Sequence, residues 1–219
     1  MILVKNLYLK YIREYFALYD ITMEVADGEK VALIGEEYSG KTSLLRILAK
    51  LEKPTKGEVY IKDIPLKRLN YSYDVSAGYI PASPVFFEKK TVYENFKHIL
   101  KLQKLTEAEI ENKINDALIN FNIERLKETK VKELTLYEKY LVSIVRLSFR
   151  TLELVLIDNI FDNLSEDDRE KILTLISERF LDKKITMVVA TTDEKIAKRL
   201  ACRKIYFSNG SIVDEKVNK

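Results

Sequence analysis

The sequence has very little cysteine and histidine. Cys202 is the only cysteine and His98 the only histidine among 219 residues. A single thiol cannot form a disulfide within the chain, and these two residues cannot make a zinc cluster of cysteines and histidines. With a single histidine in the chain, a serine–histidine–aspartate triad is nearly excluded. These shortages favour the reducing cytosol as the compartment in which the chain works.

Neither sign of charge dominates the sequence, and long apolar runs are also missing. The chain carries 37 basic and 34 acidic side chains, a net charge of +3, so charge gives little support for nucleic-acid binding and we expect none. No apolar run reaches the length of about 18 residues that a membrane-spanning helix needs. The first ten residues, MILVKNLYLK, lack the pattern of a secretory signal. The hydrophobic fraction of 47% is enough to bury a sizeable core.

Glycine is scarce as well. The chain has six glycines, and two of them, Gly35 and Gly40, stand five residues apart in one short segment. None lies between Gly78 and Gly210. A binding loop that depends on glycine for its backbone shape is therefore not expected in that long stretch.

Hydrophobic periodicity gives the order of the elements. Alternating or continuous apolar segments predict strands at 2–11, 21–25, 29–35, 58–61, 78–81, 152–158 and 185–192, and a hairpin at 203–213. Helical spacing of apolar residues predicts helices at 41–51, 91–103, 106–123, 135–150 and 165–182. This order predicts an α/β fold with N-terminal antiparallel strands, a mostly parallel sheet and helices packed on it.

The middle of the chain is expected to be a helical insertion. Its three predicted helices each begin with a threonine followed three residues later by a glutamate, the pattern of a capping box. These pairs are Thr91 with Glu94, Thr106 with Glu109, and Thr135 with Glu138. We expect a single domain over 1–219, with its core in 1–84 and 151–219 and a helical subdomain at 85–150.

The strongest motif is the segment GEEYSGKT at 35–42, which fits G-x-x-x-x-G-K-[ST]. Such a P-loop directs backbone N–H groups and the start of a helix at a phosphate. Lys41 is expected to reach the terminal phosphates, and Thr42 to give a hydroxyl to Mg²⁺. The motif lies between a predicted apolar strand and a predicted amphipathic helix, as this mechanism requires. The core is therefore predicted to be that of a P-loop NTPase.

The second half of such a site is an acidic residue at the end of a buried strand. The segment LELVLID at 152–158 ends in Asp158, which we expect to help hold the Mg²⁺. The alternative is a solvated aspartate at the end of a strand, a common feature without function.

With both motifs in place, the sequence resembles the ATP-binding subunits of ABC transporters over essentially its whole length. The segments similar to that family's motifs are GEEYSGKTS at 35–43 (phosphate loop), GYIPASPVFF at 78–87 (glutamine loop), KELTLYEKYLVSIVRL at 132–147 (signature), LVLIDNIFDNL at 154–164 (Walker B and D-loop) and MVVATTD at 187–193 (strand before the switch histidine). Their occurrence in the family's order makes the set far more specific than any one of them.

The resemblance implies ATP and Mg²⁺ as ligands. It implies an aromatic stacking role on adenine for Tyr11 and metal contacts from Thr42 and Asp158. The residues of the phosphate loop that it implies as nucleotide contacts are Gly35, Tyr38, Ser39, Gly40, Lys41, Thr42 and Ser43.

The resemblance also implies partners and a location. The chain would attach to an ABC transporter membrane subunit and pair head-to-tail with a second ATP-binding subunit, in the cytoplasm at the inner face of the cell membrane. Phe86 and Phe87 would lie at the surface that receives the membrane subunit, with core anchoring as the alternative.

The catalytic positions depart from the family. The glutamate that polarises the attacking water is replaced by Asn159, and the switch histidine by Thr192. An amide can position a water but cannot take its proton. The glutamine-loop position holds Ala82, which can neither ligate a metal nor contact a water. No residue can therefore be assigned a catalytic role.

The contact positions depart as well. The signature, normally Leu-Ser-Gly-Gly-Gln, reads Leu-Thr-Leu-Tyr-Glu at 134–138, and Ser165 replaces the D-loop aspartate. In the phosphate loop, Tyr38 replaces a small residue, and Glu36 and Glu37 add two carboxylates beside an anion site. A homodimer would combine both sets of changes, so a heterodimer is favoured.

These observations predict an ABC-transporter-like subunit that binds ATP, weakly, with little or no hydrolysis. Two alternatives stay open from sequence. The first is a scaffold or regulatory module that keeps the fold and binds no nucleotide. The second is an atypical active ATPase that uses Asn159 and groups not yet assigned.

Overall fold

The computed structural model describes residues 1–12, 15–181, 184–200 and 202–216. They divide into two compact units, one made of residues 1–82 with 152–219 and the other of residues 83–151. The predicted boundaries at 84/85 and 150/151 remain a prediction about domains, since compactness alone does not show that either unit folds independently.

The predicted elements occur in the predicted order, but the second strand begins at Tyr15 rather than residue 21, and a strand at 64–65 and a helix at 194–199 were not predicted. The strands are β1 (Ile2–Ile12), β2 (Tyr15–Val25), β3 (Lys30–Ile34), β4 (Lys56–Ile61), β5 (Ile64–Pro65), β6 (Ala77–Ile80), β7 (Leu154–Asp158), β8 (Thr186–Thr191), β9 (Arg203–Ser208) and β10 (Ser211–Lys216). The α-helices are α1 (Lys41–Leu48), α2 (Val92–Leu100), α3 (Glu107–Asn120), α4 (Leu136–Ser148), α5 (Glu166–Ile176) and α6 (Glu194–Arg199). Within the described ranges, no helix is long and apolar enough to cross a membrane.

The first unit contains two sheets among its described residues. The smaller has the order β2-β1-β4-β5 and is antiparallel throughout. The larger has the order β10-β9-β3-β8-β7-β6, and all of its pairs are parallel except that of β9 with β10. The predicted α/β class, with antiparallel N-terminal strands and a mostly parallel sheet, is confirmed.

The parallel sheet determines where a ligand site can form. Strands β7 and β8 are buried at every residue, which explains their continuous apolar sequences. The carboxyl ends of β3, β6, β7 and β8 meet at the same edge of the sheet, because these strands run in parallel. In an open α/β sheet, ligands bind at this edge.

Helix α1 packs into a core that both sheets share. Leu44, Leu45 and Leu48 are fully buried there with residues of β1, β3 and β8. The prediction that the helix reaches residue 51 is wrong. The helix ends at Leu48, Lys50 takes a left-handed conformation (φ 59°), and Leu51 is 57% exposed.

The second unit contains α2, α3 and α4. All three predicted capping boxes are present, each with both reciprocal hydrogen bonds. From Tyr140 to Leu147, every residue of α4 except Arg146 is buried. Local capping therefore fixes where these helices begin.

Helix α6 has no counterpart in the sequence-based prediction. The segment from 193 to 202 was assigned no element. It contains this short helix, which buries Ile196 and Ala197 and begins at Asp193, whose carboxylate accepts a hydrogen bond from the Lys195 amide. Two apolar residues among many charged ones were too weak a periodic signal to predict it.

Candidate nucleotide and magnesium site

The loop at 35–40 connects the end of β3 to the start of α1. Gly40, at the N-cap of α1, has φ 106°, a conformation that residues with a Cβ rarely adopt, and a Cβ there would lie 2.7 Å from the carbonyl oxygen of Ala17. The N-cap offers no side-chain hydrogen bond to the first turn of α1. The first N–H groups of α1 therefore have no side-chain cap and suit a phosphate.

Segments distant in the sequence support this loop. A Cβ at Gly35 would lie 2.3 Å from the carbonyl oxygen of Phe207 in β9. The amide of Gly210, in the turn between β9 and β10, donates to the carbonyl oxygen of Ser39 at 3.0 Å. The carbonyl oxygen of Gly210 accepts a hydrogen bond from the amide of Tyr19 at 2.8 Å. The shape of the loop thus depends on β2 and on the β9–β10 hairpin.

Lys41 is folded onto the loop and is only 2% exposed. Its Nζ donates to the carbonyl oxygens of Gly35 (2.6 Å) and Glu36 (2.8 Å) and to Oγ of Ser39 (3.2 Å). Burial lowers the pKa of Lys41, although the negative charges of Asp162 and Asp158 act in the opposite direction. The ammonium group therefore lies inside the loop, where a phosphate would replace carbonyl oxygens as its partner.

Thr42 and Asp158 lie side by side where α1 begins and β7 ends. Oγ1 of Thr42 donates to Oδ1 of Asp158 at 2.8 Å. Asp158 is 1% exposed, and its second oxygen, Oδ2, accepts a hydrogen bond from the hydroxyl of Tyr79 at 3.0 Å. Burial raises the pKa of Asp158, and the hydrogen bonds from Thr42 and Tyr79 and the charges of Lys41 and Arg46 counteract it.

This oxygen set fits a magnesium ion. Mg²⁺ prefers hard oxygen ligands and is usually bound by one or two carboxylates together with phosphates and waters. In the described part of the chain, no cluster of three histidine, cysteine, aspartate or glutamate side chains could hold a metal. A metal here would therefore use Thr42, Asp158 and the oxygens of a bound phosphate.

The two predicted aromatic contacts differ in their surroundings. The hydroxyl of Tyr11 lies 3.2 Å from Oγ of Ser43, so this half-exposed ring stands beside the first turn of α1. Tyr38 lies in the loop itself with φ 62°, and its side chain is 88% exposed. Tyr11 is thus already placed beside the loop, whereas Tyr38 extends into solvent.

Asn159 and Thr192, the residues predicted at the family's catalytic positions, carry no acid–base group. Asn159 has a left-handed backbone (φ 46°), and its Oδ1 is buried without a hydrogen-bond partner among the described residues. Oγ1 of Thr192 donates to Oδ1 of Asp162 at 3.3 Å. Burial raises the pKa of Asp162, against the effects of Thr192 and Lys41.

Sequence analysis missed Tyr79 and Asp162. Tyr79 is paired with Leu156 in the parallel register of β6 and β7, two residues before Asp158. The sequence offered no signal for this contact, because the contact depends on β6 and β7 being neighbours in the sheet. Asp162 reaches the site because the turn after β7 brings it to Thr192 at the end of β8.

The signature segment starts α4 in the second unit. Oγ1 of Thr135 accepts a hydrogen bond from the amide of Glu138 (3.2 Å), and the carboxylate of Glu138 accepts one from the amide of Thr135 (3.0 Å). Glu138 also forms an ion pair with Arg125 at 2.7 Å. Burial opposes ionisation of Glu138, but these hydrogen bonds outweigh it and hold its pKa below the usual value. Leu136 is 36% exposed.

Comparison with known sequences gives a family and several relatives. Residues 18–162 match a family described as ABC transporter. The chain is 30% identical over 210 residues to the methionine import ATP-binding protein of Chlamydia abortus, a match that covers 93% of this chain and 62% of that protein. It is 27% identical over 209 residues to the sn-glycerol-3-phosphate import ATP-binding protein of Psychromonas ingrahamii, covering 95% of this chain and 56% of that protein. The chain thus spans less than two thirds of either relative.

A solved structure resembles the whole chain. It is the dimeric structure of an ATP-binding cassette in a post-hydrolysis state, bound to ADP and phosphate. The two chains share 26% identity with a TM-score of 0.88, and the match covers 100% of each. Since the family match spans more than half of the sequence and this structure matches all of it, the chain belongs to the ABC transporter family and has the fold of its ATP-binding cassettes.

Proposed function

We propose that the chain binds ATP with Mg²⁺, hydrolyses little or none of it, and supports transport together with a membrane subunit and a second ATP-binding subunit. The observation that carries the proposal is the hydrogen bond between Thr42 and Asp158 beside the buried Lys41. This contact supports a shared phosphate and magnesium site, because it joins two residues that are more than a hundred positions apart in sequence.

Binding is supported by the groups that remain around the loop. The uncapped first turn of α1 and the ammonium of Lys41 suit phosphates. The hydroxyl of Thr42 and the carboxylate of Asp158 suit the metal. Gly35, Gly40 and Ser39 keep the loop in place, the ring of Tyr11 provides apolar surface for the base, and Tyr38 would contact the nucleotide from the loop. Ser43 holds the hydroxyl of Tyr11.

Weak hydrolysis is supported by what stands at the catalytic positions. Neither the amide of Asn159 nor the hydroxyl of Thr192 accepts a proton near neutral pH. Loss of a general base typically costs about 10²–10⁴-fold in rate. Nucleotide binding with little turnover is the consequence.

The partners are inferred from the relatives. Both are named as import ATP-binding proteins, and the similar cassette structure is a dimer. We therefore infer a membrane subunit and a location in the cytoplasm at the inner face of the membrane. In the loop before α2, Val85 is 67% exposed and Phe87 50% exposed, while the ring of Phe86 packs under the guanidinium of Arg146. This surface suits contact with the membrane subunit.

A heterodimer is favoured over a homodimer. In this family, each ATP lies between the phosphate loop of one chain and the signature of the other. This chain has an altered signature at 134–138 and altered catalytic positions, so a homodimer would contain both changes at each site. A partner with an intact signature would complete the site at this chain's phosphate loop.

Nucleotide binding is tested with a fluorescent ATP analogue and Mg²⁺ at equilibrium. We expect saturable binding that weakens about tenfold to a hundredfold in Lys41→Ala, because a charged hydrogen-bond donor to phosphate is lost. Lys30→Ala is the matched control. Lys30 also donates to two carbonyl oxygens, those of Gly28 and Ile185, but at the opposite end of β3. Absence of binding by the unaltered protein, or equal binding by Lys41→Ala, would contradict the proposal.

A scaffold that binds no nucleotide is the second candidate, and one observation favours it. Glu36 and Glu37 are exposed in the loop, and their negative charges act on Lys41. They oppose the approach of a polyphosphate to the same site.

Removing these two charges should strengthen binding of Mg-ATP. We expect Glu36→Ser with Glu37→Asn to tighten it about fivefold at low ionic strength, and less at high salt. Glu24→Ser with Asp27→Asn removes equal charge from exposed positions before β3 and should change little. Affinity that stays the same or falls in the loop variant would mean that the two carboxylates maintain the shape of the loop.

A further inference from the structure

We propose that Tyr79 is a positioning residue of the magnesium site. Its hydroxyl holds the Asp158 carboxylate in the orientation that keeps Oδ1 on Thr42. The inference rests on the proposed function, because it assigns to Tyr79 a part in the metal dependence of nucleotide binding.

The strand pairing directs the Tyr79 hydroxyl to Asp158. Strand β6 pairs in parallel with β7, and Tyr79 lies opposite Leu156. Side chains two residues apart in a strand point to the same face, so Tyr79 and Asp158 project from the same face of the sheet. The long tyrosine side chain covers the remaining distance along the strands, and its hydroxyl ends 3.0 Å from Oδ2 of Asp158.

The two oxygens of Asp158 have one hydroxyl donor each, Thr42 on Oδ1 and Tyr79 on Oδ2. The carboxylate is 1% exposed, so bulk water is not available to replace a lost donor. A buried charged acceptor without its partner is strongly disfavoured, and the carboxylate would rotate to find another. That rotation would take Oδ1 away from Thr42.

Losing the Tyr79 hydroxyl should affect the binding of the metal and not the direct contacts with the nucleotide. Groups that orient a metal ligand typically change metal affinity by about 10- to 100-fold when removed. Among the described residues, the hydroxyl of Tyr79 donates to Asp158, whereas Nζ of Lys41 donates within the phosphate loop. Its loss should therefore weaken the effect of Mg²⁺ and leave metal-free nucleotide binding unchanged.

The experiment compares the affinity for a fluorescent ATP analogue in Mg²⁺ and in EDTA for the unaltered protein and Tyr79→Phe. We expect the enhancement by Mg²⁺ to fall about tenfold in Tyr79→Phe, with the affinity in EDTA unchanged. Tyr71→Phe is the matched control, since it also removes a part-buried phenol hydroxyl, one that donates to the carbonyl oxygen of Leu48. It should keep the full enhancement.

Three results would overturn the inference. The first is an enhancement by Mg²⁺ that is unchanged in Tyr79→Phe, and the second is one that increases, which would mean that the phenol competes with the metal. The third is an equal loss in Tyr71→Phe, which would mean that any buried phenol matters for stability alone.

A second measurement keeps the inference separate from the proposed function. If the unaltered protein binds no nucleotide, the proposed function fails, but the shared carboxylate can still be tested by urea unfolding. Tyr79→Phe, Thr42→Val and the double variant form a cycle. Residues in one hydrogen-bond network show a coupling of more than about twofold in the unfolding equilibrium constant. Additive effects would overturn the positioning role of Tyr79.

Discussion

Purified protein incubated with Mg²⁺ and ATP should release phosphate no faster than the buffer alone. The amide of Asn159 cannot take a proton from water, and the hydroxyl of Thr192 donates its hydrogen bond to Asp162. Loss of a general base and loss of transition-state contacts each lower the rate by orders of magnitude. A coupled phosphate assay is the measurement, and Lys41→Ala should give the same background.

Restoring the family's residues should raise that rate. Asn159→Glu with Thr192→His supplies a carboxylate and an imidazole, but the altered signature still leaves each homodimeric site incomplete. We expect turnover of about 10²-fold above background or more only when both changes are combined with a restored signature. Asn159→Gln with Thr192→Val, in the same signature background, is the control without acid–base groups. Saturable release by the unaltered protein that disappears in Lys41→Ala would instead support the atypical ATPase.

The unaltered protein should also form no homodimer in response to ATP at any concentration. In this family the dimer closes when glycine amides of the signature approach the partner's γ-phosphate. Here Leu136 and Tyr137 occupy the glycine positions. The carboxylate of Glu138 is already used in capping α4 and pairing with Arg125, and its charge repels a phosphate. Sedimentation with Mg-ATP should therefore show one monomeric species.

The variant Leu136→Gly, Tyr137→Gly, Glu138→Gln should shift towards a dimer in Mg-ATP. The changes lie at the start of α4, and the helix should persist because Ile144 and Val145 are fully buried. Glutamine at position 138 can keep the capping-box hydrogen bond, and the two glycines are expected to cost about 1 kcal/mol of stability each. Adding Lys41→Ala to the variant should restore the monomer. A dimer of the unaltered protein that appears only with ATP would refute the obstruction by the signature.

The parts of the fold that local chemistry decides could be predicted from sequence. The capping box at Thr135 and Glu138 forms as expected, because its two hydrogen bonds involve residues three apart. The strand before Gly35 was predictable from its continuous apolar residues. The end of α1 was not, because no glycine or proline marks it and Leu51 continues the apolar spacing beyond the helix.

In the candidate site as well, contacts within one sequence motif could be predicted, whereas contacts between distant strands could not. Gly35, Lys41 and Thr42 belong to one linear motif, so the sequence places them together. The contact of Tyr79 with Asp158 depends on which strands are neighbours in the sheet, and that order is not written in the spacing of residues along the chain. Helix α6 was missed because two buried residues among many charged ones give no clear period.

The support of the phosphate loop by the β9–β10 hairpin has a consequence for synthesis on the ribosome. All residues of the loop have been translated by the time residue 42 is added, but the carbonyl oxygen of Phe207 and the amide of Gly210 that contact it come more than 160 residues later. At a translation rate of about 5–20 residues per second, the nascent loop lacks these contacts for roughly ten seconds or more. A nascent chain can therefore form a nucleotide site of this shape only after the hairpin has left the exit tunnel.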